Sequence, residues 1–301
     1  MKELCLGTAM WGWSIDKGTA FSILDCFYAG GGRHVDTANN YPLNGKIHDY
    51  RASPIFLAEW CRSRGVKDLK ITYKVGTTSN KYSPLIDLSL SNLGDQIMWA
   101  KDCFHENLYC IMLHWDNRAD LALINDTLQI LELLDEEGLN FGLSGIGHPD
   151  TYRVALENKK VRQLNIQVKH NFIYSDIEKY KELTCYTPQL WAYGISVSGI
   201  KLSVKEYNDN SYVSLVRGAG YHEKVLTDSL REALYKSIDI NVGIENIYHI
   251  AIAYSEYEKR LQGYLVAPSK LEQMQDILKF INNIDMEQVD LTFLNSLDLN
   301  A

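Results

Sequence analysis

The sequence is short of several things, and each shortage narrows what the chain can be. Six prolines in 301 residues are too few for a proline-rich extended or disordered protein. No apolar run approaches the ~20 residues that a membrane-crossing helix needs. The opening Lys2-Glu3-Leu4-Cys5-Leu6 lacks the charged segment and following apolar stretch of an export signal, so the expectation is a cytoplasmic protein with no membrane partner. Positive charge is also short: 30 Lys and Arg against 38 Asp and Glu, a net charge of -8. A nucleic-acid binder needs a basic stripe to neutralise phosphates, so nucleic acid is not an expected partner. A small anionic ligand needs only a local pair of cations and stays possible. There is no run of five or six like charges, hence no charged tail. The six cysteines, at 5, 26, 61, 103, 110 and 185, form no C-x-x-C and no zinc-type spacing with histidine. They read as reduced thiols, and no metal is expected. Finally, no G-x-G-x-x-G follows the first apolar run, where Gly7-Thr8-Ala9-Met10-Trp11-Gly12 stands instead, so the open dinucleotide-binding sheet is excluded. The glycines at 30–32 precede a strand and read as a helix end and turn.

What is present is an alternation. Hydrophobic residues make up 46% of the chain and charged residues 23%, an ordinary globular balance, and a chain of this length can bury a large core. Short apolar runs at 4–9, 34–38, 69–75, 108–115, 140–146, 164–170, 189–195 and 263–267 alternate with helix-period segments. Those segments lie at 19–29, 54–64, 85–100 (opened by Ser83-Pro84), 121–137, from His148-Pro149, 176–183, 224–237 and 270–281. Eight strand-then-helix units without a composition break predict a closed parallel (β/α)8 TIM barrel, a single domain over residues 1–301. Runs such as Tyr109-Cys110-Ile111-Met112-Leu113 are apolar on both faces, as strands covered on both sides must be. The unit between the seventh and eighth strands is long. It holds a polar, turn-rich stretch at 201–220 and an extra helical stretch at 246–261, and loops there belong to the catalytic face of a barrel. The segment after Asn283 reads as a C-terminal tail that could fold over that face.

Chemistry in a barrel comes from the C-terminal ends of the strands. Those ends carry Asp36 on the second strand, Tyr41 just beyond it, Lys74 on the third and His114 on the fourth. Singly, an Asp there can be a helix cap, a Tyr a rim residue and a Lys a solvated one. Together they make a proton-transfer device. Hydride reduction of a carbonyl leaves an alkoxide that must be protonated. A phenol, with an ordinary pKa near ~10, is a poor acid unless its phenolate is stabilised. A neighbouring ammonium lowers that pKa, and a carboxylate holds the ammonium in place. Histidine can donate to the carbonyl oxygen. A Schiff-base lyase or isomerase using Lys74 is a competing reading, and an Asp36–Lys74 contact would count against it.

The motifs point further. His34-Val35-Asp36-Thr37-Ala38-Asn39-Asn40-Tyr41 resembles the aldo-keto reductase signature R-x-x-D-T-A-x-x-Y. Ile71-Thr72-Tyr73-Lys74-Val75-Gly76 is similar to that family's T-K-V strand, Ile111-Met112-Leu113-His114-Trp115 to its L-x-H strand, Leu6-Gly7-Thr8 to its L-G-T, and Gly142-Leu143-Ser144-Gly145-Ile146 to its G-V-S-N. The resemblance covers nearly the whole chain in order. It implies reduction of an aldehyde, ketone or sugar carbonyl, or the reverse oxidation, with NADP(H) or possibly NAD(H), no metal, and Tyr41 as general acid. It also implies a small-molecule carbonyl substrate and a monomer or small homo-oligomer. By position, Ser144 and Gln167 would hold the nicotinamide carboxamide and Tyr193 would stack on its ring. Val266–Gln273 resembles the family's I-P-G-x-x-x-x-E-Q segment, so Ser269 and Lys270 would face a pyrophosphate or 2′-phosphate at a helix start. Trp11, Trp13, Tyr41, Trp115 and His148 are candidates for the substrate rim. His170 is either a barrel-mouth histidine or a substrate contact. Three departures stand out. Gly145 replaces the usual asparagine, residues 42–52 replace the family's turn after the tyrosine, and Gln273 and Ile277 stand where Arg or Asn is common. A cofactor-sensing regulatory subunit of the same fold is the alternative function.

Overall fold

The structure is a computed structural model and describes residues 1–81, 83–203 and 224–295. Strands β1 (Glu3–Gly7), β2 (His34–Ala38), β3 (Lys70–Val75), β4 (Leu108–His114), β5 (Asn140–Ser144), β6 (Leu164–Lys169), β7 (Gln189–Tyr193) and β8 (Leu261–Val266) pair in parallel and in order, and β8 returns to β1 to close the barrel. This is the expected (β/α)8 TIM barrel. Helices α1 (Lys17–Ala29), α2 (Ala52–Arg64), α3 (Leu90–Phe104), α4 (Leu121–Thr127), α5 (Ile130–Glu136), α6 (Pro149–Ala155), α7 (Asp228–Ile240), α8 (Ile247–Tyr257) and α9 (Leu271–Asn283) lie in the connections.

The strands separate two environments through their period of two. Leu6, Val35, Ile71, Tyr73, Ile111, Leu113, Leu143, Ile166 and Val168 belong to one continuous apolar core that includes helix residues such as Leu24, Leu57 and Ile97. The alternate residues (Asp36, Lys74, His114, Ser144, Gln167) are buried but absent from that core, because they face the lumen. The apolar layer holds the barrel together, which leaves the lumen free to be polar at its upper, C-terminal end. At the lower end Trp191 fills it. A Cβ on Gly263 would stand 2.3 Å from the Glu3 carbonyl and 2.6 Å from the Trp191 ring, so only glycine lets β8 pass there.

Several expected boundaries move. The third helix does not open at Ser83-Pro84. Ser89 caps α3 by accepting from the Asn92 N–H, and the preceding stretch is tied back by Asp87 N–H to the Gly76 carbonyl and Leu85 N–H to Ser79 Oγ. A turn at Leu128-Gln129 divides the fourth helix into α4 and α5. The segment expected to be helical at 176–183 is a 3-10 stretch, Ile177–Tyr186. The extra helix in the long seventh connection is α8, while residues 204–223 of that connection lie outside the described residues. The described tail does not cross the catalytic face. Barrel helices run opposite to the strands, so their C-terminal ends lie at the lower mouth. There Asn241, just past α7, donates to the Asp290 carbonyl, Tyr257 at the end of α8 bonds the Val289 carbonyl, and Thr292–Asn295 packs along α7.

Candidate active site

The lumen-facing residue at or near the upper end of each strand decides what the mouth contains. Register places Lys74 beside Ala38 and Met112, and Ser144 between His114 and Gln167. Lys74 Nζ donates to Asp36 Oδ1 at 2.5 Å, and from across the barrel Gln167 Nε2 donates to Asp36 Oδ2 at 2.5 Å. Gln167 Oε1 in turn accepts from Ser144 Oγ at 3.0 Å and from Lys74 Nζ at 3.4 Å. Both Asp36 oxygens are thus occupied, so a buried carboxylate is kept without an orphaned lone pair. Burial works against the Lys74 charge, but the Asp36 carboxylate and then Tyr41 outweigh it and raise the ammonium above its ordinary range. The pairing with Asp36 therefore favours the charged form of Lys74. Its contact with Asp36 counts against a Schiff-base role, which needs a lysine that sheds its proton.

Tyr41 lies in the loop after β2, buried, with its N–H donating to the Ala38 carbonyl at 3.2 Å. Lys74 Nζ stands 4.9 Å from the centre of its ring. The His114 ring meets the Tyr41 ring edge-on at 6.2 Å. Burial, followed by the Lys74 charge, holds His114 well below the ordinary imidazole range, so it is neutral at physiological pH, and its Nδ1 has no hydrogen-bond partner. The four residues read from the strand ends are therefore together. The arrangement can hold a fixed positive charge beside a phenol, with a neutral imidazole alongside.

Ser144, Gln167 and Tyr193 also reach the mouth. Burial, then the Asp176 charge, pushes the Tyr193 hydroxyl up to about 12, which leaves a neutral ring at the end of β7. The sequence did not reveal that Gln167 would join the Asp36–Lys74 pair, because no linear spacing signals a contact across 131 residues. It also missed Asn39. This buried side chain accepts from Arg51 Nε at 2.6 Å and Tyr73 OH at 2.7 Å and donates to the Thr77 carbonyl at 2.8 Å, tying the Tyr41 loop to β3. The irregular stretch at 42–52 is ordered in the same way, with Gly45 N–H bonded to the Asn80 carbonyl and Asn80 Nδ2 to Asn44 and Lys46. Asn–backbone clamps of this kind depend on loops meeting in space.

Ser269 and Lys270 lie apart from this cluster, at the start of α9. With Asp16, Thr19, Ser22 and Glu272 they line a cavity of about 590 Å3. The Ser269 N–H and Oγ both donate to Gln273 Oε1, at 2.7 and 3.1 Å. Among the rim candidates, Trp11 is fully buried and so is wall rather than rim, whereas Trp13 and Trp115 are half-buried and His148 is exposed. His170 bonds Ser175 Oγ through Nδ1 at 2.9 Å and stacks on Tyr254, an arrangement that braces the seventh connection. Among the described residues, no group of three or more His, Cys, Asp or Glu could hold a metal ion, and no helix is long and apolar enough to cross a membrane.

The sequence profile of the Aldo/keto reductase family matches residues 3–297. The chain belongs to the aldo/keto reductase family. Members of this family are oxidoreductases of carbonyl compounds. A 75-residue stretch is 43% identical to norsolorinic acid reductase of Emericella nidulans, covering 23% of this chain but only 18% of that protein. An aldo-keto reductase of the same fungus is 21% identical over 305 residues, 94% of this chain and 73% of its own length. A holo-form aldo-keto reductase structure from Bacillus halodurans superposes with a TM-score of 0.71 at 17% identity, over 97% of this chain and 91% of that one. At that identity the likeness establishes the fold.

Proposed function

We propose that this aldo/keto reductase reduces an aldehyde, ketone or sugar carbonyl to the alcohol, or runs the reverse oxidation, with Tyr41 as the proton donor and a nicotinamide dinucleotide as redox partner. The observation that carries the reading is the enclosed Asp36–Lys74 pair, 2.5 Å apart, with its ammonium against the Tyr41 ring. The residues present fit such a cofactor. Ser144 and Gln167 offer a hydroxyl and a carboxamide side by side at the lumen mouth, Tyr193 adds a neutral ring, and the Ser269–Lys270 cavity suits the far end of an elongated ligand. When bound, the dinucleotide supplies or accepts the hydride. Lys74 lowers the cost of placing negative charge on the Tyr41 oxygen, and Asp36 keeps Lys74 charged and oriented. Neutral His114 presents an N–H to the carbonyl oxygen, polarising it without competing for the proton. Tyr41 then gives its proton to that oxygen, and the resulting phenolate sits beside the ammonium. The same geometry argues for turnover over a cofactor-sensing role, since sensing has no use for a buried acid and its charged neighbour.

Tyr41→Phe tests the reading. Turnover should fall by at least ~100-fold while dinucleotide affinity, measured by protein fluorescence quenching, stays within about threefold. Near-normal turnover would refute the role of Tyr41. For the cofactor, Lys270 shares its cavity with the Asp16 and Glu272 carboxylates, and Ser269 is engaged with Gln273. NADPH and NADH should therefore bind within about tenfold of each other, and a preference beyond ~100-fold for NADPH would establish a dedicated 2′-phosphate site.

A further inference from the structure

Arg51 breaks three local rules at once. It is the N-cap of α2, a position that favours a short side chain able to accept from the first turn, yet its side chain makes no capping bond. It sets a cation at the positive end of the helix dipole. Its backbone is left-handed, with φ 65° and ψ 13°, a conformation that residues other than glycine adopt rarely. A residue that is locally unfavourable in three ways is held there by tertiary contacts.

Those contacts converge on Asn39. Arg51 Nε donates to Asn39 Oδ1 at 2.6 Å, and the guanidinium carbon stands 4.4 Å from the centre of the Trp99 ring and 5.5 Å from that of Tyr50. The two rings attract the cation through their faces. All three partners are neutral, and the bond to Asn39 is charge-assisted. Asn39 is fully buried and fully engaged. Its Oδ1 also accepts from Tyr73 OH at 2.7 Å, while Nδ2 donates to the Thr77 carbonyl at 2.8 Å and to Tyr50 OH. Its own N–H donates to the carbonyl of Lys74 at 2.9 Å.

Asn39 lies inside the turn that Tyr41 N–H closes on the Ala38 carbonyl at 3.2 Å, and the Tyr41 carbonyl accepts from Ser53 N–H, two residues beyond Arg51, at 3.4 Å. The pair of residues 39 and 51 therefore closes the excursion that carries Tyr41 at both of its ends. Around the phenol stand Lys74 on β3, His114 on β4 and Tyr193 on β7. The help that the Lys74 charge gives a phenolate falls with distance, so a turn that lets the ring swing away makes a weaker acid.

We propose that Arg51 is a positioning residue for Tyr41: its grip on Asn39 sets the turn that holds the phenol against Lys74. Arg51 acts through Asn39, not on the substrate. This deepens the oxidoreductase reading and rests on Tyr41 as its proton donor.

The experiment follows reduction of 4-nitrobenzaldehyde by wild type, Arg51→Met and Arg51→Lys across pH, with dinucleotide affinity measured by fluorescence quenching. Arg51→Met keeps much of the side-chain bulk and removes the donors. It should lower kcat at least ~10-fold, on the scale of a misplaced reacting group, with KM and the dinucleotide dissociation constant within about threefold. A phenol moved away from Lys74 ionises at higher pH, so the alkaline limb of kcat should rise by about one unit. Arg51→Lys keeps the charge but not the planar donor. It should fall between wild type and Arg51→Met, and it decides the matter if Arg51→Met does not fold. A lower denaturation midpoint with kcat and the limb unchanged would overturn the proposal. The ionisation of Tyr41 separates this proposal from the reading beneath it. It is read by tyrosinate absorbance, as the difference between each protein and the same protein carrying Tyr41→Phe. If wild type reduces no aldehyde, the oxidoreductase reading fails. The positioning role still stands if Arg51→Met raises the Tyr41 midpoint by about half a unit or more, and falls if the midpoint does not move.

Discussion

At the lower mouth of the barrel His34 opens β2 and stands 2.6 Å from Glu3, its ring tilted over Trp191 at 4.8 Å. Two residues along the same lumen-facing row, Asp36 stands 2.5 Å from Lys74. The distances are nearly equal, yet the pairs differ in kind. The Glu3 side chain is 41% exposed, whereas those of Lys74 and Asp36 are 4% and 3% exposed. At the lower mouth burial is the largest influence on His34 and outweighs the pull of Glu3, so the imidazole lies below its ordinary pKa, and its Nε2 makes no well-formed hydrogen bond despite the short separation. At the upper mouth the ammonium is held charged by a carboxylate that Gln167 also satisfies. Short separation between opposite charge types does not make an electrostatic device. Complete enclosure with every oxygen engaged does, because water no longer screens the field at Tyr41 and His114.

The comparison is broken most sharply at Lys74. Lys74→Met leaves the Asp36 carboxylate buried and short of a donor, so stability by chemical denaturation should drop by about 3–5 kcal/mol and turnover by at least ~100-fold. A stable, active Lys74→Met protein would erase the distinction between the mouths. A smaller effect comes from pH. His114 is depressed in the folded state while an unfolded histidine titrates near ~6.5, so between those values the unfolded chain binds the extra proton and stability falls as pH drops below ~6.5. His34 and His170, both lowered mainly by burial, act with the same sign. His114→Gln should flatten the decline in denaturation midpoint between pH 7 and pH 5, and an unchanged slope would assign the acid sensitivity to the other two. The smallest effect belongs to Glu3→Gln. Turnover should stay within twofold and stability within about 1 kcal/mol, the ordinary range for an exposed pair. A larger loss of activity would show that the lower mouth communicates with the upper.

Legibility in the sequence followed the physics of each signal. Strand β2 was located to the residue, since His34–Ala38 is bounded by glycines and by a motif. Helix α3 was started too early at Ser83-Pro84, because a proline near a serine suits a helix start as well as the bonded loop that Ser79 and Gly76 impose. The four residues at or just past the strand ends were legible because parallel strands joined by returning helices must bring their C-terminal ends to one rim. The role of Gln167 in holding Asp36, the clamp around Asn39 and the seat of Trp115 over Gly145 were not, since each is a contact between loops or across the lumen.

By itself the sequence determined the eight strand-then-helix units and with them the closed barrel, whose strand ends carry Asp36, Lys74 and His114. Only the tertiary structure decided that Gln167 reaches Asp36, that burial depresses His114, that the described tail packs against the ends of α7 and α8, and that the Trp115 indole stacks on the His114 ring over Gly145. Periodicity is a property of neighbours along the chain. Desolvation and hydrogen-bond satisfaction are properties of neighbours in space, and closing the barrel is what creates them.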